Sequence, residues 1–155
     1  MRTYLEYQNS NLKWFSEIPK HWNIVSLKHL LDKVYGGGTP DTSIADYWSE
    51  DEMGIPWVAI ADMTKSNGFL SETSKKITDK GRLNKGLEIL PIGTLLLSIF
   101  ASLGKTTRLS IAATVNQAIL GLVPNKELNL DFLQYLLIDA ERYLSFYSSA
   151  STQEN

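Results

Sequence analysis

Between Leu130 and Ser145 the apolar residues Leu130, Leu133, Leu137 and Leu144 fall close to one helical face, with Tyr135, Asp139 and Arg142 elsewhere. Asn129 precedes the run as an N-cap, and Asp131 stands in the first turn, where a carboxylate favours the helix N-terminus. No other segment carries so clear a helical period. Trp22–Leu27 alternates apolar and polar residues and predicts a short strand. Trp57–Ile60 predicts another, with Pro56 suited to a strand start. Thr94–Phe100 is a continuous apolar run, as expected of a buried strand, and Lys105–Leu109 is its hairpin partner across Gly104. Ile111–Val123 is apolar and β-branched, interrupted by Asn116-Gln117 and closed by Pro124-Asn125. Two weaker segments, Lys28–Val34 and Ile77–Asn84, predict a helical turn or two, the first stopped and the second cut by glycines. Asn67-Gly68 and Pro91-Ile92-Gly93 read as turns. Residues 1–13 read as a frayed or disordered lead-in and residues 14–155 as one domain. Many short strands, long loops and one substantial helix make an α+β domain rather than a doubly wound sheet.

One long loop interrupts this pattern, over residues 36–54. It starts with Gly36-Gly37-Gly38-Thr39-Pro40, three residues free to take positive φ followed by a proline that stiffens the exit. Tyr47-Trp48 and Ile55-Pro56-Trp57 follow. Loops of this length inside a domain are usually functional.

Composition narrows the chemistry. The chain has 155 residues, enough for one domain with a proper core, and 43% apolar with 21% charged residues is ordinary for a soluble globular protein. Cysteine is absent, which excludes disulfides and thiolate metal sites, and the two histidines, His21 and His29, lack a metal-binding spacing. His21 is expected in a loop beside Trp22 and His29 on a short helix. With no hydrophobic signal core and no transmembrane run, a cytoplasmic location is the expectation. Net charge is −2, but its distribution is uneven. Residues 63–110 hold eight Lys/Arg against three Asp/Glu, while the flanking thirds are acidic. A basic middle third is either a solvated face or a source of phosphate contacts.

Catalytic signatures are missing. The glycines do not form G-x-G-x-x-G, and Gly104-Lys105-Thr106 copies only the tail of a phosphate-binding P-loop. Ser102 and Lys105 match S-x-x-K, but the stretch contains a glycine, follows a strand and has no K-T-G partner, so the match reads as coincidence. No acidic residue stands two places before a lysine, and no Pro-Pro occurs, so nuclease and base-flipping signatures are absent. Glu50-Asp51-Glu52 could hold a hard cation but reads better as a solvated loop. A binding module leads over an enzyme.

Several segments then line up in order: Ile18-Pro19-Lys20-His21-Trp22, Gly36-Gly37-Gly38-Thr39-Pro40, Tyr47-Trp48, Ile55-Pro56-Trp57-Val58, Ile92-Gly93-Thr94, Ala101-Ser102-Leu103-Gly104-Lys105 and Thr114-Val115-Asn116-Gln117-Ala118. Together they resemble, over almost the whole chain, the target recognition domain of type I restriction–modification specificity subunits. The resemblance implies an irregular, double β-helix-like α+β domain with a helix in its C-terminal region. It implies a non-catalytic DNA reader that takes one half of a bipartite double-stranded target for a methyltransferase (M) subunit and a restriction (R) subunit. S-adenosylmethionine, ATP and Mg belong to those partners, so no cofactor is expected in this chain. The family's spacer helix and second recognition domain do not occur in this sequence.

On that reading Lys65, Lys75, Lys76, Lys105 and Arg108 would supply phosphate contacts, and Ser102 lies in the same basic stretch. Asn116 and Gln117 have the chemistry to read adenine, although a motif shared among domains with different targets suits a structural role better. Gly37, Gly38 and Thr39 either offer N–H groups and a hydroxyl to DNA or form a tight turn over Trp48 or Trp57. Specificity is expected in the loops Asp41–Ala45 and Lys65–Ser74. The competing reading is a truncated protein–protein module that binds the methyltransferase subunit without DNA selectivity.

Overall fold

The computed structural model describes residues 4–12, 14–100 and 102–153, with side chains described as far as Leu144. In chain order the strands are β1 (Tyr7–Asn9), β2 (Glu17–Pro19), β3 (Leu31–Tyr35), β4 (Trp48–Ser49), β5 (Ile55–Val58), β6 (Phe69–Leu70), β7 (Lys75–Ile77), β8 (Leu95–Ser98), β9 (Thr106–Leu109), β10 (Thr114–Val115) and β11 (Ile119–Pro124). Helices α1 (Ile60–Lys65), α2 (Asp79–Asn84) and α3 (Leu130–Gln153) complete the described elements, apart from short 3-10 turns. Five strands form a sheet in the order β3-β11-β8-β9-β6, and four form a second sheet in the order β10-β5-β7-β4.

The apolar runs become intelligible once both faces of the five-stranded sheet are seen to be covered. Along β8, Leu96 joins a core shared with Val58, Met63, Leu70, Val115 and Ile119. Its neighbours Leu95 and Leu97 turn the other way, toward Leu133 and Leu137 of α3. A strand buried on both faces has no polar side to show, so its sequence loses alternation. β11 repeats the device: Leu120 and Leu122 face α3, while Gly121 leaves room for Leu90, whose Cδ2 would stand 2.3 Å from an added Cβ. The four-stranded sheet has its own small core of Trp57, Ile77 and Leu87, with Trp48 and Ile55 packed on it.

The expected α+β class is what the structure has, and most elements fall where the pattern places them. Lys28–Val34 differs: a 3-10 turn over Leu27–His29 gives way to β3, which pairs antiparallel with β11. Seven residues of weak helical pattern cannot outweigh a ready strand partner. Trp22–Leu27 is not a strand either, because the chain turns at Pro19, whose carbonyl accepts from Trp22 N–H at 2.9 Å. The strand expected over Trp57–Ile60 ends at Val58, and Ile60 opens α1. Ile111–Val123 splits into β10 and β11, with Asn116-Gln117 in the turn between them. Residues 7–9 of the expected lead-in pair with residues 17–19, and α3 runs on beyond Ser145 to Gln153.

Candidate nucleic-acid interface

The glycine loop and the Asn116-Gln117 step, 78 residues apart at Thr39 and Gln117, are brought into contact. Gly38 N–H donates to the Val115 carbonyl at 3.0 Å. A Cβ on Gly37 would lie 2.0 Å from the Asn116 carbonyl oxygen and 2.5 Å from that of Val115. Backbone meets backbone here, and only glycine permits it. Trp57 Nε1–H donates to the Gly38 carbonyl at 2.9 Å, and Trp48 meets Trp57 edge to face at 5.2 Å. The Thr39 hydroxyl donates to Gln117 Oε1. Asn116 Oδ1 accepts from Ala118 N–H at 2.9 Å, an Asx turn that swings the chain from β10 into β11. Gly37, Gly38, Thr39, Asn116 and Gln117 therefore form one joint between the sheets, closed over Trp57.

The second constellation is the segment 62–76. Asp62 is buried, and its two oxygens accept from Ala59 N–H at 2.9 Å and Ser74 N–H at 3.1 Å. It caps α1 and clamps the far end of the loop that follows. That loop and the end of α1 enclose a concavity lined by Lys65, Asn67, Phe69, Ser71, Thr73 and Ser74, among others. A second concavity, lined by Thr42, Trp48, Glu50, Ser74, Lys75 and Lys76 among others, adjoins it through Ser74. Lys75 Nζ stands 5.2 Å from the Trp48 ring centroid, an exposed cation held over an aromatic face. Lys76 Nζ donates to the carbonyls of Glu52 at 3.1 Å and Asp51 at 3.4 Å, so it steadies the acidic loop. At the rim, the Ser43 hydroxyl and N–H both donate to Asp41 and hold its carboxyl below the usual carboxylate range.

Ser102, Lys105 and Arg108 lie on β9 and the turn before it. Ser102 has φ +71°, and its carbonyl accepts from Ser98 Oγ at 2.5 Å and Lys105 N–H at 3.2 Å. Gly104, at φ +90°, seats this turn on α3, where an added Cβ would come 3.1 Å from Glu141 Cα. Arg108 is engaged within the domain. Its Nη2 donates to Asp131 Oδ1 at 2.7 Å and Gln134 Oε1 at 2.9 Å, with its side chain 17% exposed. A guanidinium so engaged ties β9 to α3. His21 packs on Tyr4 at 5.3 Å, and no group of three or more metal-ligating residues occurs among the described residues.

Two residues shape this region without having stood out in the sequence: Asp62 and Gln134. Asp62 had a signal, an acid at the third helical position reaching back to the N-cap, hidden because Ala59-Ile60 looks like a strand end. Gln134 had none, since its partners are remote in sequence.

Residues 19–155 match the family model described as the type I restriction modification DNA specificity domain. The type I restriction enzyme MjaIX specificity subunit of Methanocaldococcus jannaschii is 32% identical over 139 residues, covering 88% of this chain and 31% of that protein. The EcoR124I/EcoR124II specificity subunit of Escherichia coli is 22% identical over 135 residues, covering 84% of this chain and 32% of that protein. Among solved structures, the HsdS subunit from Thermoanaerobacter tengcongensis shares the fold with a TM-score of 0.64 at 20% identity, over 90% of this chain and 32% of that one. The chain spans about a third of the length of the curated relatives it matches. The chain belongs to the type I restriction modification DNA specificity domain family.

Proposed function

We propose that this chain is a single target recognition domain that binds double-stranded DNA sequence-specifically and reads one half of a bipartite target. The observation that carries this reading beyond family membership is the pair of adjoining concavities along residues 62–76. Amide, hydroxyl and carboxylate side chains line them, the types that exchange hydrogen bonds with base edges, and Lys65 and Lys75 stand where phosphates would pass. Lys105, on the turn seated against α3, would supply a third phosphate contact. The glycine joint supports the reading loops from beneath rather than touching bases.

The domain's role is recognition. Adenine methylation with S-adenosylmethionine and ATP-driven cleavage with Mg are assigned to a methyltransferase subunit and a restriction subunit, which this domain directs to the target.

Selection from a random duplex library, with and without the methyltransferase subunit, tests the proposal. A short enriched half-site is expected in at least one arm. Failure to enrich any duplex in either arm, together with tight binding to the methyltransferase subunit, would establish the protein–protein module instead.

A further inference from the structure

Gly68, just before β6 pairs with β9, is one of the points where residues 66–74 are tied to the rest of the molecule. It has φ +86°, and its carbonyl accepts from Arg108 N–H at 2.9 Å and from Gln134 Nε2 at 3.3 Å. The other end of the same amide, Gln134 Oε1, accepts from Arg108 Nη2 at 2.9 Å. The Arg108 guanidinium also lies 5.5 Å from the ring centroid of Phe69 and donates to Asp131 at 2.7 Å. Phe69 is 60% exposed and, with Asn67, lines the first concavity. With its donor and its acceptor both committed, the Gln134 amide has one orientation. It links α3, Arg108 and the tip of the loop in one chain of hydrogen bonds.

We propose that Gln134 is a positioning residue for DNA readout: held by Arg108, it sets the placement of the Asn67–Phe69 turn without itself meeting the duplex. This rests on the reading of residues 62–76 as the DNA-facing segment. Two bonds made by one amide can be separated by substitution. In Gln134→Glu, one carboxylate oxygen keeps Arg108, now with charge assistance, while the other faces the Gly68 carbonyl, acceptor against acceptor. The joint between β9 and α3 survives, the bond from α3 to Gly68 is lost, and the Arg108 N–H bond to Gly68 stays. Gln134→Ala removes both bonds and introduces no repulsion, so it loosens the loop by a second route.

The test uses the full chain with the duplex enriched by library selection, together with its single-base variants over a range of salt. For Gln134→Glu the unfolding midpoint stays near that of the parent protein. Hydrogen exchange over residues 66–74 and at the Arg108 amide rises by about 3- to 10-fold, the worth of one hydrogen bond. Affinity for the enriched duplex falls by a similar factor, the salt slope is unchanged, and discrimination among single-base variants weakens. Gln134→Ala gives the same loosening and the same loss of discrimination. Lys65→Ala behaves oppositely, lowering the salt slope while preserving discrimination. The inference is overturned if exchange over residues 66–74 is unchanged in both variants, or if the loop loosens while discrimination holds. If the parent protein enriches no duplex, the DNA reading itself falls, and the positioning role with it.

Discussion

Gly36, Gly37 and Gly38 are adjacent and identical, yet they have different neighbours. A Cβ on Gly36 would meet nothing within 4 Å, one on Gly37 would lie 2.0 Å from a backbone oxygen, and one on Gly38 would touch the Leu87 side chain at 3.0 Å. Gly37→Ala should therefore lower stability by about 2–4 kcal/mol, and Gly36→Ala should stay within about 0.5 kcal/mol of the parent in urea denaturation. Equal effects would show that the joint with Asn116 is not as described. Asp41 yields a second expectation. Its carboxyl is held below the ordinary range first by the Ser43 hydroxyl, then by the Ser43 N–H. A group with a depressed folded pKa contributes stability above its unfolded pKa and loses it as pH falls through the folded value. The turn at Asp41–Ser43 should thus loosen only in acid below the usual carboxylate range. Carbon NMR titration of Asp41 should show an upward shift in Ser43→Ala.

The elements were unequally legible. α3 was readable because four leucines at helical spacing and the Asn129 cap agree; Asn129 Oδ1 does accept from Phe132 N–H at 2.9 Å. β8 was readable because it concentrates apolar residues between the glycine turns at Gly93 and Gly104, and β9 because it follows the second turn as the hairpin partner. β3 was not, since its strand state comes from pairing with β11, about 90 residues away, rather than from local preference. α1 was hidden for a related reason: it has six residues, too few to display a period, and depends on Asp62. Asp62→Ala would leave the Ala59 and Ser74 N–H groups without their partner. A destabilisation of about 1–3 kcal/mol is expected, accompanied by faster hydrogen exchange at Ser74. Loss of stability with no change at Ser74 would mean that Asp62 caps α1 but does not clamp the loop.

A net charge of −2 would ordinarily argue against binding a polyanion, but the basic residues are grouped along the middle of the chain. The structure thins that group: Arg108 is engaged by Asp131, and Lys76 by the carbonyls of Asp51 and Glu52. On the proposed DNA-binding reading this leaves few phosphate contacts, so duplex binding should depend only moderately on salt. Three lysine contacts correspond to a slope of about −3 in log K against log salt, and Lys65→Ala should reduce its magnitude by roughly 1. A slope near zero in a binding titration would remove the lysines from the interface. By itself the sequence determined the α+β class, the principal helix, the buried hairpin and, through motifs in a particular order, the family. Those features are written in spacing along the chain, where local physics acts. Only the tertiary structure decided that the glycine loop serves as a joint for Asn116-Gln117, that Arg108 belongs to the scaffold, and that Asp62 and Gln134 hold the loop between them. Each of those depends on a hydrogen bond or a close approach between segments distant in sequence, and no local pattern encodes which partner a polar side chain will meet.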